Sequence, residues 1–196
     1  MANNKALLTT LEQTLTKVYP LVVQKLNGGI TTGEIDKYAS LAQLTFTDEI
    51  YDLFTWKNGI KQTAGGSPAQ LLIFPNGIPY SLNEAVDDYD LQAVTKHLFQ
   101  PNYFPLFSSG TDDILLIDLD ADSDTYKMIS LYSPPLLDGG DPMTIYDSFS
   151  SMLETVIACY DQKAFWVAED RLAVDGSAYH AIASNFNRNS EFWQFM

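Results

Sequence analysis

The chain has 196 residues, 46% of them hydrophobic, with 11 Tyr, 11 Phe and 3 Trp, enough for one domain with a substantial core. Twenty-five acidic residues against 11 basic ones give a net charge of −14, which disfavours a nucleic-acid partner and favours a basic protein. The single cysteine, Cys159, excludes an internal disulfide framework, and no apolar run approaches the ~20 residues of a membrane span. "MANNKALLTTLEQ" turns polar too early for a secretory segment, so a cytoplasmic location is expected.

In chain order, Leu7, Leu8, Leu11, Leu15 and Val18 paint one face of a helix over about 4–26, which Pro20 should end or kink. After the break at "NGG", Thr31 stands three residues before Glu34, a capping-box pattern opening a short helix. A second helix follows in "LTFTDEIYDLFTWKNG", capped by Thr45 or Thr47, with Ile50 and Phe54 buried. Gly59 fits its C′ position, where the left-handed conformation favours glycine. Trp56 is expected to anchor this helix end to the sheet, and Asn58 to satisfy backbone groups there.

The pattern then changes. "LLIF" at 71–74 reads as a strand, "PNG" as a turn and "IPYSL" as a short strand. Ser81 and Glu84 form a further capping box. Strands are expected at 103–108, 114–119 and 126–133, joined by the short polar segments "SGTDD" and "DADSDT" and therefore antiparallel. "SPPLLDGGDP" reads as a loop and "SFSSMLETVIACYDQ" as a helix with a capping box from Ser151 to Glu154. A strand at 164–168 and a helix around 177–186 close the chain.

Helices at both ends and strands in the centre point to an α+β fold, a central, mostly antiparallel sheet flanked by helices in one domain over 1–196. A parallel α/β arrangement is the alternative, though the strands lack regular long crossovers. A helical tail is expected at about 177–196.

Several groups are candidates for chemistry. Asp118, Asp120, Asp122 and Asp124 alternate like the first half of a calcium loop. The second half departs, with Ser123 where the loop needs Gly and Ile129 where it needs a bidentate Glu. The run is then either a solvated loop whose carboxylates discourage edge pairing or a landing surface for a basic partner. Asp112 and Asp113 precede a strand and, as neighbours, point to opposite faces, which suits a turn.

His97 and His180 are far apart and neither sits in a "GxSxG" setting; no zinc set, phosphate loop or dinucleotide motif is present. No metal, cofactor or catalytic residue is therefore expected. Cys159, in "MLETVIACY", reads as a buried inert thiol. Trp56, Trp166 and Trp193 read as core anchors, with an interface role as the alternative.

The order of these landmarks resembles the SMI1/KNR4 family, also called the SUKH superfamily. "LTFTDEIYDLFTWKNGI" is similar to its first signature through Leu44, Tyr51, Trp56, Asn58 and Gly59. "YFPLFSSGTDDILLIDLD" is similar to its second through Phe104, Pro105, Gly110, Asp113 and Asp118. "SLNEAV", "SFSSMLETVI" and the Asn-rich tail ending in Trp193 extend the resemblance over roughly residues 30–193.

The resemblance implies an α+β fold and a non-enzymatic binding protein. Many bacterial members of that family look like immunity proteins that neutralise toxins, often nucleases. Fungal members look like regulatory interaction modules, which is the alternative here. On the immunity reading the partner is a basic toxin domain, and Asp112, Asp113, Asp118, Asp120, Asp122 and Asp124 are the candidate partner-binding residues.

Overall fold

A computed structural model describes residues 3–61, 65–134 and 140–194. Its centre is a five-stranded antiparallel sheet in sequential order: β1 (Ile78–Pro79), β2 (Tyr103–Ser108), β3 (Ile114–Asp118), β4 (Ile129–Tyr132) and β5 (Met143–Tyr146). A separate hairpin pairs β6 (Phe165–Ala168) with β7 (Arg171–Val174). The antiparallel α+β architecture is thus the one expected; the parallel alternative is excluded by the pairing.

The buried apolar residues form one continuous cluster drawn from the helices and from both sheets. Strand β3 is buried at every position, so it lies between covered faces. The closing helix Phe149–Asp161 packs against the N-terminal helix on one side and against the C-terminal helix Gly176–Phe186 on the other. Helix Leu82–Tyr89 lies against β2.

Local chemistry explains most element ends. The N-terminal stretch is two helices, Asn4–Val18 and Pro20–Lys25, broken at Tyr19, with Pro20 in the first turn of the second, where its missing N–H costs nothing. The break is held from outside, since the Tyr19 hydroxyl lies 2.8 Å from the Asp170 carbonyl and 3.2 Å from that of Gln70. The capping boxes at Thr31–Glu34 and Ser81–Glu84 are both formed.

Other expectations are corrected. Residues 71–74 are not a strand: Ile73 and Phe74 are fully buried in a turn in which Gly77 N–H donates to the Phe74 carbonyl, and Tyr160 donates to the Ile73 carbonyl. The apolar run there reflects burial, not a ladder. The strand expected at 126–133 shrinks to Ile129–Tyr132, because Thr125–Met128 form turns with Lys127 at φ 65°.

Ser148, not Ser151, caps the closing helix, and Ser151 is the third residue of the box. Two strands are additional, β5 and β7. Half of the "SPPLLDGGDP" loop, residues 135–139, lies outside the described residues. No helix among the described residues is long and apolar enough to cross a membrane.

Candidate functional site

The six candidate aspartates do not form one surface. Asp112 and Asp113 lie in the β2–β3 turn, whereas Asp120, Asp122 and Asp124 lie in the β3–β4 turn, at the opposite end of β3. A strand of this length separates the two groups by roughly 20 Å. Asp112, Asp120, Asp122 and Asp124 are exposed; Asp113 is half-buried, and its backbone closes the turn through its N–H to Ser109 Oγ and its carbonyl to Ser109 N–H.

Asp118 is a correction: its exposure is 0%, so no partner can touch it. Its Oδ1 accepts from Asn102 Nδ2 at 2.6 Å and Asp120 N–H at 2.9 Å, and its Oδ2 accepts from Thr125 Oγ1 at 2.7 Å. Burial alone would raise this carboxyl's pKa. Hydrogen bonds from Ser123, the Asp120 N–H, Thr125 and Asn102 outweigh that and hold it below the usual aspartate value. The alternating aspartates thus spend their first member on knotting the β3–β4 turn. Asp120 continues the pattern by accepting the Asp122 N–H at 3.0 Å. Among the described residues, no group of three or more His, Cys, Asp or Glu converges as a metal site requires.

The residues of the first family-like signature act between elements. Trp56 does not anchor to the sheet: its Nε1 donates to Glu12 Oε2 at 2.8 Å, and Lys57 Nζ donates to Glu12 Oε1 at 2.7 Å, so both grip the N-terminal helix. Burial opposes ionisation of Glu12, but the bonds from Lys57 and Trp56 and the Lys57 charge lower its pKa overall. Asn58 Oδ1 accepts the Leu82 N–H at 2.7 Å and so caps a different helix from the one it follows. Gly59 stands two residues past the C-cap Lys57, not one, at φ 75°, where a Cβ would lie 2.4 Å from the Ser81 nitrogen. Tyr51 donates to Asp36 at 2.5 Å, tying two helices together.

In the second signature, Phe104 is fully buried with its ring centroid 4.8 Å from that of Phe46. Pro105 sits where the β2–β3 register shifts, the kind of irregularity at which a sheet tolerates proline. Gly110 turns at φ 79°, and a Cβ there would meet Pro68 at 2.4 Å.

One open cleft of about 930 Å³ has no counterpart in the sequence reading. The N-terminal ends of four helices meet at it, contributing Lys5, Thr32, Asp48 with Glu49, and Ser148 with Ser150. Its charged walls are Asp48, Glu49, Asp52 and Glu154 against Lys5 and Lys127. Lys127 pairs with Glu49 at 3.1 Å and Lys5 with Asp52 at 3.7 Å, while Asp48 and Glu154 have no ion-pair partner among the described residues. The sequence signal of the cleft, "TDEIYD", reads as a helix start, and nothing local shows that three other helices begin beside it.

Cys159 is buried and its thiol is pushed up to about 12 by burial, consistent with an inert packing role. Trp193 is a core anchor, donating from Nε1 to the Ile145 carbonyl. Trp166 is not: it is 44% exposed. His97 is exposed, and His180 packs edge-on against Trp193 with its Nε2 buried and without a hydrogen-bond partner among the described residues.

Compared with protein-family models and with curated proteins, the chain finds no match.

Proposed function

We propose that this chain is a non-enzymatic immunity protein that binds a basic toxin domain, of nuclease type, and neutralises it by covering its substrate groove. The observation that carries this reading is the distribution of charge. The net charge is −14, and Asp112, Asp120, Asp122 and Asp124 on the loops, with Asp48 and Glu154 in the cleft, have no ion-pair partner among the described residues. Such a surface accelerates encounter with a positively charged protein and disfavours acidic competitors. Carboxylates seated in a groove built for phosphates displace nucleic acid without any chemical step. The resemblance to the SMI1/KNR4 family supports the same reading.

The test is co-expression with each basic toxin domain that the genes flanking this one encode. Restored growth, together with nanomolar binding of the two purified proteins, is the expected result. Continued killing and absence of binding would refute immunity and leave a regulatory interaction module as the reading to pursue.

A further inference from the structure

Helix Leu82–Tyr89 runs without interruption into a π-helical segment, Asp90–Thr95. The widened turn is seen in Lys96 N–H donating to the Leu91 carbonyl at 3.0 Å, five residues back. π segments are rare and concentrate at functional sites. Asp88 holds this one from the side, accepting from Tyr80 at 3.0 Å and from Gln92 at 2.6 Å.

The rod has two unlike faces. Leu82, Ala85, Tyr89 and Ala93 are buried in the core. Leu91, Val94 and Leu98 are instead 46%, 44% and 39% exposed. Leu91 and Val94, three positions apart on the same segment, are the two large apolar side chains it leaves half in water, and Leu98 follows just past its end. Exposed carboxylates adjoin them: Asp87 stands about one turn before Leu91, and Asp90 about one turn before Val94.

The charge of this face decides its occupant. Within residues 84–94 the exposed charges are all acidic, Glu84, Asp87 and Asp90, none with an ion-pair partner among the described residues, and the first cation after Lys61 is the exposed Lys96 at the C-terminal edge of this face. A second copy docked through this face would bring three unpaired carboxylates from each side against one Lys96 each, a net repulsion. A nucleic acid is repelled as well. An apolar groove lined by Val18 and Trp166 carries one acid and one base, Asp161 and Lys163, whereas this face carries three unpaired acids to the one Lys96 at its edge.

We propose that the outer face of residues 84–94 docks the basic protein partner, whose apolar side chain packs on Leu91 and Val94 while its Lys or Arg side chains meet Asp87 and Asp90. This rests on the function proposed above and names the surface that performs it. The carboxylates set the association rate, and the apolar contact sets the dissociation rate.

The probe is each basic domain encoded by the flanking genes, purified, with binding kinetics measured against the full chain. Leu91→Asp with Val94→Asp is the informative variant, because it adds negative charge while removing apolar contact. The expected result is at least tenfold weaker binding through faster dissociation. Asp87→Asn with Asp90→Asn is expected to slow association several-fold and flatten its salt dependence. Circular dichroism and urea unfolding confirm that the variants keep the fold.

If the wild-type chain binds and the Leu91/Val94 variant binds as well or better, this surface is overturned and the proposed function stands. If the wild-type chain does not bind, both fall. A concentration-dependent dimer that the same variant abolishes would also overturn the proposal, by making a second copy the occupant.

Discussion

Replacing Asp118 separates a fold-building carboxylate from the surface ones. In Asp118→Ala, the Asn102 amide, the Asp120 N–H and the Thr125 hydroxyl all lose their acceptor. Hydrogen bonds to a charged group contribute roughly 1.5–3 kcal/mol each, and the low end applies here because the three share one carboxylate, giving a loss of about 4.5 kcal/mol. With a urea slope of about 2 kcal/mol per molar, the unfolding midpoint should fall by about 2 M. Asp118→Asn keeps one oxygen for Asn102 and Asp120, and its NH₂ can donate to the Thr125 hydroxyl, so it should lose only about 1–2 kcal/mol.

The pH dependence follows from the direction of the shift. The folded-state pKa lies below the ordinary aspartate value of about 3.9, so the charge contributes fully above that value and the contribution is lost as pH falls through the folded pKa. The stability gap between wild type and Asp118→Asn should therefore be constant near neutrality and close in acid. A midpoint shift under about 0.5 M for Asp118→Ala, or a gap that does not narrow in acid, would refute this account. Partner binding by folded Asp118→Asn should equal that of the wild type, since the side chain is not at the surface.

Gly59→Ala should lower stability by about 2 kcal/mol or more, from its positive φ and the collision with Ser81, read as a lower melting temperature. Ser148→Ala should cost about 1 kcal/mol by removing the cap of the closing helix, measurable by urea unfolding. Asp120→Asn, Asp122→Asn and Asp124→Asn together should leave stability within about 0.5 kcal/mol and slow association with a basic partner while dissociation is unchanged, as stopped-flow mixing at two salt concentrations would show. Cys159 should resist an aromatic disulfide reagent at pH 8 in the native protein and react only as the chain unfolds, because it is buried with its thiol raised to about 12.

Local spacing guided several elements correctly, although it placed the cap of the closing helix at Ser151 instead of Ser148 and Gly59 one position too close to its helix end. The Thr31 and Ser81 capping boxes, the break at Pro20 and strand β2 all rest on spacings within a few positions. Burial misled it at 71–74, because an apolar run in a buried turn has the composition of a strand. Hairpin β6–β7 was half seen: its turn residues Glu169 and Asp170 sit at φ 51° and 58°, a conformation usually signalled by Asn-Gly, and neither residue carries that signal. Strand β5, four residues between Pro142 and the Ser148 cap, is too short to show a period. The division of the aspartates between two ends of β3 depends on strand pairing, and the cleft depends on four helix starts far apart in sequence. Neither is a local property.

The segment Trp56–Gly59 links these results. Glu12 fixes Trp56 and Lys57 to the N-terminal helix. Asn27 then ties the following backbone, donating from Nδ2 to the Asn58 and Ile60 carbonyls and from its N–H to the Gly59 carbonyl. From that fixed point, Asn58 caps Leu82, and the bare Cα of Gly59 lets Ser81 approach. Both contacts fall on the first turn of the helix whose far end exposes Leu91 and Val94. The segment sets where that helix starts and how it is aimed. A change at Asn58 should therefore alter partner binding without touching the partner. Asn58→Ala, which leaves the Leu82 N–H without its cap, should weaken both the fold and the docking face, whereas Leu91→Asp with Val94→Asp weakens the docking face alone.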